Sequence, residues 1–556
     1  GAGHFCPDVS TICIPVILND LQKYKRNPYC ALSVHWSCHY DSLPPFRKGV
    51  ICNIRELFIL IMQPINRIKQ LLLPPKFIVM KNYFCFTVFA LILLTFQVSG
   101  QGSAGRELEG SWMGKLNAGG IFLRVIFNLT AAGNDSLTAT LDSPDQGAKG
   151  IKIGPVSLHE NEIRIAAPLL LAEYNGTIKN DTLIEGIFKQ AGTSLPLTLT
   201  KLREQFTLKR PQEPLPPYPY TVKDVTFTNH AAGIDLAGTL TLPEGEGPHP
   251  AVILITGSGT QNRDEEILGH KPFLVIADHL TRNGIAVLRF DDRGAGRSKG
   301  TPLNATSADF ASDAAAAFRY LKSEGRIDTA FIGLAGHSEG GFIAPIVASE
   351  NPEIAFIISL AGTGVPGEEI LHRQNLDISL ASGAGRKETE EAIRINEKLF
   401  RILVSETDNI EAERKIVEEY RNILEEKGTS PEETEKGINQ LKAGLNPASY
   451  NWMRYFIKTN PADYWKRVKC PVLAINGEKD LQVNAGINTS AIEKALRSGG
   501  NKKVTVRILP GLNHLFQHSS TGLPAEYGEI EETISPEVLQ LMSEWILNVQ
   551  MKRQAF

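Results

Sequence analysis

Cysteine is scarce over most of this 556-residue sequence: six of the seven cysteines precede residue 100, and only Cys470 follows. A protein that consists only of the residues after 100 would contain one cysteine and could form no internal disulfide. Its stability must then come from packed apolar cores. Positive charge is not in excess either, because 58 Lys and Arg face 61 Asp and Glu, for a net charge of −3. This balance lacks the basic footprint of nucleic-acid-binding proteins, and we predict no nucleic-acid partner.

A long apolar run of the kind that spans a membrane is also missing. The apolar run 84–96 holds about 13 residues, whereas a membrane-spanning helix needs ~20. It follows Met80 and Lys81 and precedes a small-residue exit at Val98-Ser99-Gly100, which is typical of a secretory signal peptide. We therefore predict a signal peptide at 80–100, cleavage after Gly100, and an exported (periplasmic or extracellular) protein without a stable membrane span in its mature form.

Residues 1–79 show neither a period of 2 nor one of 3.6, and they begin with Gly1 rather than methionine. We interpret 1–79 as upstream sequence read in frame, with Met80 as the natural start. The alternative is a disulfide-rich N-terminal domain with five cysteines. The odd cysteine count and the internal signal peptide both argue against that alternative.

The later sequence divides into three parts by pattern. Residues 106–203 show short alternating runs between glycine-rich turns, which predict an accessory all-β domain, a small sandwich or barrel. Five prolines fall within 211–219, so we predict a semi-rigid linker over 204–221. Residues 222–550 alternate strands with helices, which predicts a mostly parallel sheet covered on both faces.

One stretch interrupts that alternation. Residues 366–463 are helical and charged in pattern and lie between two apolar strands. A loop of this length needs structure of its own, so we predict a helical cap over the carboxyl edge of the sheet. Aromatic residues near its end either line a substrate pocket or pack the cap core; these are Trp452, Tyr455 and Phe456.

The strongest chemical motif is Gly336-His337-Ser338-Glu339-Gly340, between the strand pattern Phe331–Ala335 and a helix that starts near Phe342. This strand–turn–helix context is typical of a nucleophile elbow, where a sharp turn exposes a serine at a helix N-terminus. The flanking glycines avoid steric clashes in the turn. Together Gly336, His337 and Gly340 are predicted to form the structure of the elbow around the nucleophile Ser338.

Serine needs a base, and the base needs an orienting acid. The chain order of this architecture is nucleophile, acid, histidine, and each should follow a strand of the sheet. We predict His514, after the strand Val504–Leu509, as the base, with His518 as the competitor. We predict Asp480, after Val472–Ile475, as the acid that holds the imidazole tautomer. The acid alternatives are Glu478 and Asp463.

The oxyanion of acyl transfer needs two backbone N–H donors. We predict one from Glu339, the residue after the nucleophile, and one from Ser258 or Gly259 in the loop after the strand Ala251–Ile255. A phosphate cradle in that loop is disfavoured because the Lys-Ser/Thr ending is missing. The later Gly294-Ala295-Gly296 lacks the third glycine of a dinucleotide fingerprint, so we interpret it as a supporting turn.

Four stretches together resemble bacterial secreted esterases of the EstD type, in the α/β-hydrolase superfamily near the serine aminopeptidase-like S33 group. They read Gly-His-Ser-Glu-Gly-Gly, Phe-Asp-Asp-Arg-Gly-Ala-Gly-Arg-Ser, Asn-Gly-Glu-Lys-Asp-Leu-Gln-Val and Gly-Leu-Asn-His. The resemblance covers 222–550 and implies a carboxylesterase that acts on short acyl chains with Ser338, Asp480 and His514 as its triad. The 106–203 segment resembles accessory β domains ahead of such hydrolases and brings no catalytic residue.

The sequence thus predicts a serine hydrolase that cleaves small-molecule carboxylic esters through an acyl-enzyme, without metal or cofactor. Three alternatives remain open. An aminopeptidase or amidase would use the same triad, with a carboxylate to hold the substrate amine. An acyl esterase would act on carbohydrate-linked esters. A non-enzymatic binding protein would keep only the fold.

Overall fold

A computed structural model describes residues 107–118, 121–132, 136–190 and 193–554. The predicted signal peptide and the segment before it lie outside these ranges. Two sheets organise the described chain, one antiparallel and one mostly parallel, and both belong to the same compact unit. The predicted class, an α/β domain with a helical insertion behind a small all-β domain, is confirmed.

The first domain is a closed antiparallel barrel. Eight strands form the ring in the order β2-β1-β9-β8-β7-β6-β5-β3, and pairing of β2 with β3 closes it, while β4 pairs with β3 alongside β5. The strands are β1 (Gly110–Ala118), β2 (Ile121–Ala131), β3 (Leu137–Ser143), β4 (Ala148–Lys152), β5 (Val156–His159), β6 (Glu162–Ala167), β7 (Ala172–Asn180), β8 (Leu183–Gln190) and β9 (Thr193–Lys201).

Alternation of side chains fills the barrel. Buried and exposed positions alternate along β3 and β6, as expected when one face of each strand points inward. Trp112 and Tyr174 are fully buried inside, and each satisfies its polar group: the Trp112 indole donates to Leu108 O (2.8 Å) and the Tyr174 hydroxyl to Leu197 O (3.1 Å). The interior is therefore a packed core.

The second domain holds an eight-stranded sheet in the order β10-β11-β13-β12-β14-β15-β16-β17. The pairs β10–β11 and β11–β13 are antiparallel and all later pairs are parallel. The strands are β10 (Thr221–Asn229), β11 (Ile234–Leu242), β12 (His249–Ile255), β13 (Ala286–Phe290), β14 (Ile327–His337), β15 (Ile357–Leu360), β16 (Val472–Gly477) and β17 (Val504–Leu509).

Helices cover both faces of this sheet. They are α1 (Pro272–Arg282), α2 (Ser307–Leu321), α3 (Glu339–Glu350), α10 (Ala485–Ser498) and α11 (Pro536–Gln554), with α4–α9 in the insertion described next. One apolar core forms between the sheet and α2, α3 and α10, and the other between the sheet and α1 and α11. Local signals fix the ends: α1 begins at a proline, and a capping box between Thr306 and Asp309 starts α2.

The insertion between β15 and β16 is helical. It contains α4 (Gly367–Ala381), α5 (Arg386–Ser405), α6 (Asn409–Glu426), α7 (Pro431–Gly444), α8 (Tyr450–Lys458) and α9 (Pro461–Trp465). Its outer helices enclose a separate apolar cluster that includes Leu399, Ile416 and Tyr420. Its return helices pack on α3, where Phe342 contacts the rings of Tyr455 and Phe456. The three aromatic residues singled out in the sequence thus pack the cap onto α3.

The barrel docks on the segment between β17 and α11. Arg124 of β2 and Arg210 of the linker both donate to the carbonyl oxygen of Gly528, at 2.7 and 2.9 Å. The Arg124 guanidinium also pairs with the buried carboxylate of Asp145. One guanidinium group of the barrel and one of the linker thus hold the Gly528 segment through charge-assisted hydrogen bonds.

No helix in the described ranges has both the length and the apolar composition that crossing a membrane requires.

Candidate active site

Ser338 lies at the sharp turn between β14 and α3. Its backbone has φ 53° and ψ −115°, a left-handed conformation that is uncommon for a residue with a side chain. Two glycines permit the turn, because a Cβ at Gly336 would lie 2.0 Å from Gly340 O and one at Gly340 would lie 2.1 Å from Ile255 O. Ser338 N donates to Leu360 O (2.8 Å), which ties the turn to β15.

Asp480 and His514 meet at the carboxyl ends of β16 and β17. His514 Nδ1 lies 2.8 Å from Asp480 Oδ2, and both side chains are buried. The other carboxylate oxygen, Oδ1, accepts from the backbone N–H groups of Gln482 and Val483, both at 2.8 Å. Because a carboxylate only accepts, the hydrogen of this contact lies on His514 Nδ1, and in the neutral ring Nε2 is then the nitrogen that can accept a proton.

The alternative residues lie elsewhere. The Glu478 side chain accepts from Gly511 N (3.0 Å), and the Asp463 side chain is exposed beside Lys466. His518 is exposed and pairs with Glu532. None of these three shares the buried contact that joins Asp480 to His514.

His337 connects the elbow to the histidine loop. Its Nε2 lies 3.0 Å from the carbonyl oxygen of His514, and the two imidazole rings are 4.8 Å apart between centroids. Within the described residues, no hydrogen bond joins the Ser338 hydroxyl to the His514 ring. Contacts between nucleophile and base are often longer without substrate and shorten in the reacting complex.

The loop after β12 runs beside Ser338. A Cβ at Gly257 would lie 3.3 Å from Ser338 Cβ, a tight contact that glycine avoids. Gly257 N already donates to Glu265 Oε1 (2.7 Å). In the described part of the chain, no acceptor is assigned to the N–H groups of Ser258 and Gly259. Gly259, with φ 95°, shares a small cavity with Glu339, the first residue of α3.

The side chain of Glu339 is buried and connects three elements. Its Oε1 accepts from Ser307 Oγ of α2 (2.6 Å) and from Trp452 Nε1 of the cap helix α8 (2.7 Å). Burial raises the pKa of this carboxyl group above its usual value, although both donors act in the opposite direction. The residue after Ser338 is thus held by its side chain as well as by the helix.

The turn after β13 supports the loop that contains Gly257. Asp292 accepts from Thr256 Oγ1 and from Gln261 N, both at 2.8 Å, and burial raises its pKa well above the usual value. Asp291 pairs with Arg263 of the same loop (2.8 Å). The supporting role expected for this turn therefore has a physical basis in two carboxylates.

Sequence reasoning missed Glu265 as part of the site, and with it the bond that occupies Gly257 N in the loop predicted to donate to the oxyanion. Glu265 Oε1 lies 3.0 Å from His337 Nδ1 in addition to its bond with Gly257 N. The loop that carries Glu265 has no periodicity or motif that signals this position. Among the described residues, no group of three or more His, Cys, Asp or Glu side chains is arranged to hold a metal ion.

The chain is similar to one family of known proteins and to several proteins that are named as esterases. Residues 271–386 match the family described as serine aminopeptidase, S33. Over 334 residues the chain is 28% identical to esterase EstD of Thermotoga maritima, which covers 59% of this chain and 68% of EstD. Among solved structures, Est1E from Butyrivibrio proteoclasticus matches with TM-score 0.35 and 17% identity, over 59% of this chain and 99% of Est1E. The Pyrococcus furiosus esterase Pf2001 matches with TM-score 0.34 and 17% identity, over 59% of this chain and 93% of that chain.

Proposed function

Because this chain is an EstD-like α/β hydrolase of the serine aminopeptidase S33 family, we propose that it hydrolyses short-chain carboxylic esters through Ser338, His514 and Asp480. One observation carries the assignment: the buried 2.8 Å contact between His514 Nδ1 and Asp480 Oδ2, at the sheet edge where the elbow places the partly buried Ser338. The esterase names of the relatives support the choice of substrate class.

Each member of the triad has a defined task. Asp480, held by two backbone N–H groups, fixes the His514 tautomer and stabilises the imidazolium that forms during the reaction. His514 Nε2 takes the proton of Ser338 as its Oγ attacks the ester carbonyl. His514 then protonates the departing alcohol, and it later activates the water that cleaves the acyl-enzyme.

The negative oxygen of the tetrahedral intermediate needs donors, and the N–H of Glu339 is the first. It lies at the N-terminus of α3, where backbone N–H groups lack helical partners and the helix dipole favours negative charge. The second donor comes from Ser258 or Gly259, because Gly257 N is already used by Glu265. A donor of this kind contributes ~3 kcal/mol to the transition state.

The test compares wild type and Ser338→Ala on p-nitrophenyl acetate, butyrate and octanoate and on aminoacyl-p-nitroanilides. We expect ester turnover that disappears with Ser338, decreases with acyl length, and is not matched by anilide cleavage. Circular dichroism of both proteins serves as the control for folding.

Two outcomes would overturn the proposal. Efficient anilide cleavage that depends on Ser338 would assign the protein to the peptidase branch of the family instead. Ester turnover that survives Ser338→Ala would show that the elbow is not the active site.

A further inference from the structure

Three loops of the candidate site meet at one buried ion pair. A single oxygen of Glu265, Oε1, accepts from Gly257 N (2.7 Å) in the loop after β12, which we call the oxyanion loop. The same oxygen lies 3.0 Å from His337 Nδ1 in the elbow. His337 Nε2 lies 3.0 Å from the carbonyl oxygen of His514. The side chains of Glu265 and His337 are 6% and 10% exposed, so solvent competes little with these bonds.

The hydrogens in these contacts define the charge of the Glu265–His337 pair. The carbonyl oxygen of His514 only accepts, so His337 Nε2 must carry a hydrogen. Glu265 Oε1 accepts from Gly257 N, and a carboxylate oxygen only accepts, so with Glu265 as a carboxylate the hydrogen of its 3.0 Å contact with His337 lies on Nδ1. The arrangement therefore fits an imidazolium at His337 and a carboxylate at Glu265.

The surroundings of His337 agree with that charge. Burial alone lowers the pKa of His337, but attraction and hydrogen bonding from Glu265, with help from the His514 carbonyl and from the charge of Asp480, raise it overall. The His514 ring at 4.8 Å and the Phe516 ring at 6.4 Å complete the groups that face His337. The carboxylates of Glu265 and Asp480 thus both favour a positive charge on the His337 ring.

We infer that Glu265 and His337 are positioning residues, which hold the oxyanion loop, the elbow and the His514 loop at working distance only while His337 is charged. This inference rests on the proposed function, because it takes the roles of Ser338 and His514 from it. It predicts a rate that falls on the alkaline side when His337 loses one of its two ring protons. One ring nitrogen then turns a lone pair towards an oxygen, either Glu265 Oε1 or His514 O, and the attraction between the imidazolium and the Glu265 carboxylate is lost.

The direction follows from the raised pKa. The attraction is present below the usual histidine value near 6.5 and is lost as pH rises through the higher folded value. The decline in kcat should therefore lie above pH 6.5. It should be separate from the acid-side decline, which arises when the base itself is protonated.

The test records kcat and KM against pH for p-nitrophenyl acetate with wild type, Glu265→Gln and the matched control Glu266→Gln. Glu266 lies in the same loop, where it accepts only from Asn262 Nδ2 among the described side chains (3.1 Å). We expect Glu265→Gln to lower kcat roughly 10- to 100-fold, as for a small misplacement of reacting groups. KM should change little, and the alkaline decline should disappear. Glu266→Gln should match wild type.

A second measurement reads the charge of His337 directly in the wild-type protein. Nitrogen-15 NMR of histidine-labelled wild type at pH 7, assigned by loss of signals in His337→Gln, should show both ring nitrogens of His337 protonated. A neutral ring would overturn the inference. So would a Glu265→Gln enzyme with the wild-type alkaline decline, even at reduced kcat. Loss of Ser338 dependence, by contrast, would reject the proposed function itself.

Discussion

The indole nitrogen of Trp452, in the cap, donates a 2.7 Å hydrogen bond to the buried carboxyl oxygen of Glu339, the residue after Ser338. The Trp452 ring also stacks on Phe456 at 5.3 Å, so its position depends on how the cap packs. The cap is therefore connected through one hydrogen bond to the residue whose N–H is the proposed oxyanion donor.

Replacing Trp452 with phenylalanine should test this connection. Trp452→Phe keeps an aromatic ring but leaves Glu339 with Ser307 as its one remaining side-chain donor. A lost bond to a buried carboxyl group is worth about 1.5–3 kcal/mol, and we expect kcat/KM to fall by roughly tenfold or more. Tyr455→Phe, which removes a hydroxyl bonded to Tyr464, is the control on the same helix. Equal kinetics for the two variants would contradict the prediction.

Asp480→Asn should nearly abolish turnover while Glu478→Gln should not. The amide can donate to His514 Nδ1 and so favour the wrong tautomer, which in a related triad lowers kcat by about 10⁴-fold. Glu478 directly follows β16, but its side chain accepts only from Gly511 N in the described chain. Steady-state kinetics on p-nitrophenyl butyrate measures both. A large loss with Glu478→Gln would move the acid to that residue.

His270 should lower the free energy of unfolding in mild acid. Its ring is buried against Tyr527 O (2.9 Å) and Thr533 Oγ1 (3.0 Å), and burial, assisted by the charge of Arg210, lowers its pKa to about 4. The unfolded chain takes up the proton near 6.5 and the folded protein does not, so stability contributed here falls as pH decreases.

Between pH 7 and pH 5 this single group accounts for about 2 kcal/mol of unfolding free energy. Urea unfolding at the two pH values should show a smaller difference for His270→Gln than for wild type. The exposed residue His518 provides the comparison, since His518→Gln should retain the wild-type difference. An unchanged difference in His270→Gln would refute the assignment.

Two cationic residues at the barrel junction should differ sharply in their contribution to stability. Arg124→Ala removes the partner of Asp145, whose side chain is 1% exposed, and we expect a loss of about 3–5 kcal/mol. Lys115 pairs with Glu529 across the same junction, but both side chains are about half exposed, so Lys115→Ala should change stability by about 0–1 kcal/mol. Thermal and urea unfolding of both variants measure this. Similar losses would show that burial does not decide the strength of this junction.

Export remains a prediction from the sequence alone. When the chain is expressed from Met80 in a bacterial host, the exported protein should have its N-terminus near Gln101 by intact mass. Leu93→Arg, which places a charge in the apolar run, should retain an uncleaved precursor in the cell. The interpretation of 1–79 needs a second expression that encodes the full 556-residue sequence: an exported form that retains the first five cysteines would contradict it.

Elements with strong local signals were predictable. The strand Val504–Leu509 has the bounds that its apolar run predicts. The helix α1 (Pro272–Arg282) begins at a proline and ends before Asn283-Gly284, which are ordinary start and stop signals in a sequence. The barrel strands β1 and β7 were not predicted, since Gly114 and Gly176 interrupt their apolar pattern. In the structure a Cβ at either glycine would lie within 2.7 Å of a neighbouring side chain, so close packing requires the interruption.

The candidate site likewise contains residues that the sequence predicts and contacts that it does not. Ser338 stands in a motif whose spacing reflects a local steric requirement, and Asp480 and His514 follow strands. The bonds from His337 to Glu265 and from Glu339 to Trp452 join residues 72 and 113 positions apart, and they depend on how a loop and an inserted cap fold back. No periodicity or motif encodes such a return, which is why neither contact was predicted, although the sequence does single out Trp452 as a residue that lines a pocket or packs the cap core.

The junction between the barrel and the loop after His514 has a consequence for synthesis. Arg124 precedes the carbonyl it binds at Gly528 by 404 residues, so this contact cannot form until residue 528 has left the ribosome. A nascent chain can complete its barrel early, but the segment after His514, the proposed base, lacks this anchor until Gly528 has been synthesised. We therefore expect products truncated before Gly528 to be inert towards esters.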